Sequence, residues 1–266
     1  MAEPHRRNSG NNIVLETQNL TKRFGGLTAV GEFDSRVHEG EIFSLIGPNG
    51  AGKTTVFNVV TGIYAPEEGR ILFKGKNITG RKPHQIVSLG IARTFQNIRL
   101  FPNMTCLENV MAGQHCRGRA GLWASIFRTG KQREEEQRIH RNAEERLNQV
   151  GLSRFRDELA KNIAYGSQRM LEIARALASE PKLLVLDEPS SGLNPRETEI
   201  LMEFLKTVIH RESLTILLIE HDMNVVMGIS DWVSVMDGGR KIAEGTPRDI
   251  YHDERVIEAY LGKEEE

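Results

Sequence analysis

Gly47-Pro48-Asn49-Gly50-Ala51-Gly52-Lys53-Thr54 constrains this chain more than any other stretch. An apolar run from Glu41 to Ile46 precedes it, and Lys53 to Tyr64 follows with Val56, Phe57, Val59, Val60 and Ile63 at helical spacing. The pattern predicts strand, glycine loop and helix, the setting in which G-x-x-x-x-G-K-[ST] grips a phosphate chain. Glycines let the backbone wrap closely, so that successive N–H groups and the helix N-terminus face the anion. Lys53 is expected to neutralise the β and γ phosphates of a bound nucleotide, Thr54 to give its hydroxyl to Mg²⁺, and Thr55 to bond a more internal phosphate. Such a pattern arises by chance in roughly one chain in fifty of this length at average composition. A second signal is therefore needed.

Lys182-Leu183-Leu184-Val185-Leu186-Asp187-Glu188 supplies it: a buried-strand run that delivers two carboxylates to its C-terminal tip, where ligands of α/β sheets bind. Asp187 is expected to hold Mg²⁺ through water. Glu188 is the natural general base for the water that attacks the γ phosphorus. A second apolar run, Thr215 to Ile219, also ends in an acidic residue, and Glu197 to His210 between them has helical periodicity. This alternation predicts a parallel sheet.

Ile13 to Thr17 and Leu27 to Val37 read as antiparallel strands, with turns at Gly25-Gly26 and Glu39-Gly40. Residues of about 97 to 180 read as mostly helical; Ile139, Ala143, Leu147 and Val150 form a narrow apolar stripe in a charged segment. Gly118 to Gly130 carries few periodic cues. The expected plan is a disordered lead-in over 1–12 and one domain over 13–262. In it, 13–96 and 181–262 form the nucleotide-binding core with its β subdomain, and 97–180 form a helical subdomain.

Composition narrows the partners. Lys and Arg total 35 against 36 Asp and Glu, with a pI near 6.7, so no overall positive field favours nucleic acid. Cys106 and Cys116 have no CxxC spacing and are expected to be reduced, partly buried thiols. No apolar run approaches the roughly 18 to 20 residues needed to span a bilayer, and the N-terminus lacks a signal-like stretch, so a cytosolic chain is expected.

Five further segments resemble the ABC ATPase family in the expected order, and the resemblance covers nearly the whole chain. Ile163-Ala164-Tyr165-Gly166-Ser167-Gln168-Arg169 is similar to the signature loop, followed by the helix-like LEIARAL. Gln96 in RTFQ resembles the Q-loop glutamine, which in the family touches Mg²⁺ and the attacking water. His221 resembles the switch histidine at the γ phosphate. Ser191-Gly192-Leu193-Asn194 sits where the family has its D-loop, and Phe24 where an aromatic stacks on adenine. The resemblance implies a RecA-like P-loop core with an antiparallel β subdomain and an inserted α-helical subdomain. It also implies a head-to-tail dimer in which Ala164, Tyr165, Gly166 and Ser167 of one subunit face the ATP of the other.

This chain departs from the family where Ala164-Tyr165-Gly166-Ser167 replaces the commoner Ser-Gly-Gly-Gln, removing a serine hydroxyl from the γ phosphate, and where Asn194 replaces aspartate. Ala-Tyr-Gly, RFGGLTAV, RTFQNIRLFPNMTCLENV, LLIEHDMNVVMGISD and EGTPRDIYHDERVIEAYLG resemble the ATPases of branched-chain amino acid importers. The insertion around Gly113 to Gln137 is similar to the larger of their two ATPase types. Such a subunit implies two transmembrane permease subunits, a second ATPase subunit (a copy or a paralogue) and, indirectly, an extracytoplasmic solute-binding protein, at the cytoplasmic face of the membrane. Lipid or lipopolysaccharide export ATPases share the Gly245-Thr246-Pro247 and Tyr260-Leu261-Gly262 ending and remain an alternative, as do soluble ABC ATPases. A P-loop GTPase is disfavoured, since no NKxD motif occurs.

Overall fold

A computed structural model describes residues 12–114 and 130–261. All of the lead-in but Asn12, together with Cys116 and nearly all of 118–130, lies outside the described residues.

The chain opens with β1 (Ile13–Phe24) and β2 (Leu27–His38), an antiparallel pair turned at Gly25, whose φ of 58° suits glycine. With β4 (Glu68–Phe73) and β5 (Lys76–Asn77) they form a sheet in the order β2-β1-β4-β5. The second sheet contains β3 (Ile42–Ile46), β6 (Ile91–Arg93), β7 (Leu183–Asp187), β8 (Thr215–Ile219), β9 (Trp232–Asp237) and β10 (Arg240–Gly245). Its order is β10-β9-β3-β8-β7-β6, parallel except at the β9–β10 hairpin. Together with the helices described below, this is the RecA-like P-loop architecture with an antiparallel sheet and a helical subdomain.

The central strands β3, β7 and β8 are buried at every residue, as a parallel sheet covered on both faces requires. Successive side chains point to opposite faces and join different cores. Phe43, Leu45, Leu183, Val185, Leu217 and Ile219 pack towards the first sheet and helix α1 (Lys53–Val60). Ile42, Leu184, Leu186, Ile216 and Leu218 pack against α6 (Pro195–Glu212) and α5 (Tyr165–Ala178). A third core joins α5 to α3 (Cys106–Gln114) and α4 (Gly130–Gln149) through Val110, Ala143, Leu147 and Leu171. Cys106 is fully buried within it, deeper than its sequence suggests.

Helix boundaries differ from the sequence reading in α1 and at both ends of α6, which runs on to Glu212. The first helix stops at Val60 rather than Tyr64, because Gly62 takes a φ of 75° and the amides of Ile63 and Tyr64 both turn back to the Asn58 carbonyl. Helix α6 starts at Pro195, two residues early: Asn194 accepts from the Glu197 amide while the Glu197 side chain accepts from the Asn194 amide. Among the described residues, no helix is long and apolar enough to cross a membrane.

Candidate active site

The loop between β3 and α1 has a shape only glycine permits. Gly47, Gly50 and Gly52 have φ of 146°, 81° and 99°. A Cβ on Gly47 would lie 2.0 Å from the Met236 carbonyl oxygen, and one on Gly52 would lie 2.3 Å from that of Ala29. The β9–β10 turn clasps the loop: Gly239 donates to the Ala51 carbonyl at 3.1 Å and accepts from Gly31 at 2.8 Å. Lys53 is buried, and its ammonium donates to the carbonyls of Gly47 and Pro48 at 2.7 and 2.9 Å. Burial lowers its pKa, opposed by the nearby charges of Glu188 and Asp187. A cavity of about 580 Å³ opens here, lined by Asn49 to Thr55, by Phe24 and Leu27, and by Gln96, Glu188, Gly238 and Gly239. Phe24 is exposed and stands edge-on to Tyr64, ring centres 5.2 Å apart.

At the tip of β7, Asp187 is buried and accepts from Arg93 at 2.7 Å. Arg93 also donates to Asn58 at 2.7 Å and Thr61 at 3.0 Å on α1 and its C-cap, and lies over the rings of Phe57 and Phe95. The guanidinium thus ties the helix after the glycine loop to the acidic strand tip. Glu188 adopts a φ of 47°, uncommon for a residue with a side chain. Its amide donates to the Ile219 carbonyl at 3.0 Å, and its Oε2 accepts from the Gln96 amide at 2.8 Å with His221 Nδ1 at 3.6 Å. Parallel pairing of Asp187 with Ile219 sets this geometry, since it brings the segment after β8 alongside Glu188. Glu220, fully buried, accepts from the amides of Ser190 and His221 at 3.0 and 3.2 Å; burial first of all raises its pKa.

The residues resembling a signature loop stand apart from the cavity lining. Ala164 is the N-cap of α5, without a capping side chain, and Tyr165, Gly166 and Ser167 form the first turn. A Cβ on Gly166 would lie 2.4 Å from the Glu197 carboxylate, and Tyr165 donates from its hydroxyl to the Ser191 carbonyl at 3.3 Å. Sequence reasoning missed Arg93, the glycine turn Gly238-Gly239 and Ala29. Arg93 lies inside the quoted RTFQ, yet nothing local marks it as buried.

A loop of backbone amides, a lysine, hydroxyls and a base-like carboxylate around one cavity can bind a phosphate chain and hydrolyse it. For Mg²⁺ the donor set fits: Thr54 and Asp187 offer hard oxygens, and no cluster of three or more His, Cys, Asp or Glu occurs among the described residues. A magnesium ion held mostly by phosphate and water needs no more.

The ABC transporter family model matches residues 30–191, and that of the branched-chain amino acid ATP-binding cassette transporter matches 240–266. The high-affinity branched-chain amino acid transport ATP-binding protein BraF of Pseudomonas aeruginosa is 45% identical over 250 residues, covering 94% of this chain and 98% of BraF. This chain belongs to the branched-chain amino acid ABC transporter ATP-binding proteins. LivG of Escherichia coli, an ATP-binding protein of the same description, is similar to the same degree. A crystal structure of the ADP conformation of an ATP-binding cassette of an ABC transporter superposes with a TM-score of 0.82 at 34% identity, covering 94% of this chain and 99% of that one. As an ABC transporter ATP-binding protein, the chain is an ATP hydrolase that energises import through membrane subunits.

Proposed function

We propose that this subunit drives uptake of branched-chain or related amino acids. The observation that carries the reading is the match of residues 240–266 to the branched-chain cassette family, supported by relatives covered almost end to end. The subunit would pair with a second ATPase subunit, dock on two permease subunits at the cytoplasmic face of the membrane, and serve an extracytoplasmic binding protein indirectly. Phe101, half exposed on the segment after the Q-loop, with Arg175 against its ring, is the proposed seat of a permease helix. Residues 13–96 and 181–262 would act as the nucleotide-binding core and 97–180 as the helical arm.

In hydrolysis, the amides of Gly47 to Gly52 would bind phosphate oxygens, and Lys53 would exchange its carbonyl partners for them. Phe24 would stack on the adenine. Thr54, Gln96 and Asp187 would hold Mg²⁺, which when bound draws charge from the phosphates. Thr55 would bond an inner phosphate. Glu188 would take the proton from the attacking water, held in place by Gln96, while His221 contacts the γ phosphate. Ala164, Tyr165, Gly166 and Ser167 would close on the nucleotide of the second subunit through backbone N–H groups. ATP drives transport if it binds the closed dimer better than the open one, by several kcal/mol for a strong population shift.

Purifying the subunit from detergent-solubilised membranes tests the assignment. Companion permeases that support ATP-dependent leucine uptake in proteoliposomes are expected. Companions that extract lipid instead, or an assembly indifferent to leucine, isoleucine and valine, overturn it.

A further inference from the structure

Arg169 lies one turn into α5, and its side chain is fully buried together with that of Glu172. Its Nη1 donates to the Phe95 carbonyl at 2.8 Å and to Glu172 at 3.0 Å. Its Nη2 donates to the Gln96 carbonyl at 2.7 Å and lies 3.3 Å from the Tyr165 hydroxyl. Glu172 accepts in turn from the Arg99 amide at 3.0 Å. One stretch of α5 therefore holds the Q-loop at the Phe95 carbonyl, the Gln96 carbonyl and the Arg99 amide.

Stability alone does not account for this arrangement. Apolar residues of similar volume often replace a buried ion pair without loss, and Arg169 Nε has no hydrogen-bond partner, which adds to the desolvation penalty. What a guanidinium supplies, and an apolar side chain cannot, is a rigid fork that fixes two successive carbonyls. Those carbonyls belong to the Phe95–Gln96 and Gln96–Asn97 peptides, the two planes that flank the Gln96 Cα. The Gln96 side chain is itself exposed, so its aim at Glu188 depends on its backbone.

We propose that Arg169 is a positioning residue for Gln96, and that the Arg169–Glu172 pair locks the backbone on both sides of Gln96 to the first turns of α5. The proposal rests on the reading of Gln96 as the residue that holds Glu188 for hydrolysis.

The test uses the purified chain with Arg169→Met, Arg169→Lys and Gln96→Ala. Arg169→Met is expected to lower kcat about tenfold with KM for ATP within about twofold, and Arg169→Lys, which cannot fork, to fall between. In a Gln96→Ala background, Arg169→Met should lower the rate less than about twofold further. Without nucleotide, Arg169→Lys should speed amide hydrogen exchange about tenfold over residues 95–99 while 183–187 keep their protection. Glu172→Gln gives the same comparison if Arg169→Met fails to fold. Full activity in Gln96→Ala overturns the role of Gln96 and the catalytic half of the proposal, and the exchange measurement then decides the mechanical half. If Gln96→Ala is slow but the Arg169 losses multiply with it, or exchange over 95–99 is unchanged in folded Arg169→Lys, Arg169 has no such role.

Discussion

The side-chain amide of Gln96 donates to a carboxylate oxygen of Glu188 across 2.8 Å, although 92 residues separate them in the chain. The same oxygen faces His221 Nδ1 at 3.6 Å, so residues following three different strands converge on one carboxylate. Glu188→Gln keeps the shape and removes the basicity. Its kcat should fall about 10²-fold while equilibrium ATP affinity stays within about twofold. An undiminished rate, or loss of affinity in place of rate, would remove Glu188 from the role of base.

Arg93 and Asp187 form a buried pair, 7% and 6% exposed, and breaking it leaves an uncompensated charge. Arg93→Ala should lower the unfolding free energy by about 3 kcal/mol or more, read from urea denaturation. The double variant with Asp187→Ala should lose less than the sum of the two single changes. Additive losses would mean that the pair is not coupled.

Two glycines of one loop should respond differently to alanine. Gly52→Ala places a Cβ against the Ala29 carbonyl, so the loop must shift and nucleotide binding should be lost. Gly50 has open space beyond its Cα, and Gly50→Ala should carry only left-handed strain of about 1–2 kcal/mol, with ATP binding retained. Calorimetric titration with ATP distinguishes the pair; equal behaviour would contradict the loop geometry.

Ala164 has φ −59° and ψ 152°, and the Gln168 amide already bonds its carbonyl, which is N-cap geometry without a capping oxygen. Ala164→Ser should therefore stabilise the fold by about 1 kcal/mol, seen as a higher Tm. An unchanged or lower Tm would mean that the new hydroxyl does not reach the free amides of the first turn.

Burial, and secondarily Glu158, pushes the Cys106 thiol up to about 11. In a Cys116→Ser background, iodoacetamide should modify Cys106 at least ~10²-fold more slowly in the folded than in the unfolded chain at mildly alkaline pH. A folded pKa above the unfolded value gives a stabilising contribution that is complete below the ordinary thiol value and lost as pH rises towards 11. Cys106→Ser should flatten that alkaline decline; a decline of the same steepness would place its origin elsewhere.

The sequence by itself determined the elements that local pattern encodes. Glycine spacing fixes the loop before Lys53, because only glycine tolerates φ of 99° beside the Ala29 carbonyl. Continuous apolar runs fix Leu183 to Asp187 and Thr215 to Ile219 as strands buried on both faces. Family order pointed to Gln96 and His221, yet no local signal brought either to Glu188. That meeting depends on the parallel register of Asp187 with Ile219 and on the bonds from α5 to the Q-loop. Nothing local in the sequence marks Arg93 or Arg169 as buried, and only the packing of α1, β6 and α5 around them makes them buried ties. Short-range pattern sets backbone conformation, whereas strand register and helix packing choose which distant side chains share one oxygen; the first is written in neighbouring residues, the second in contacts across the chain.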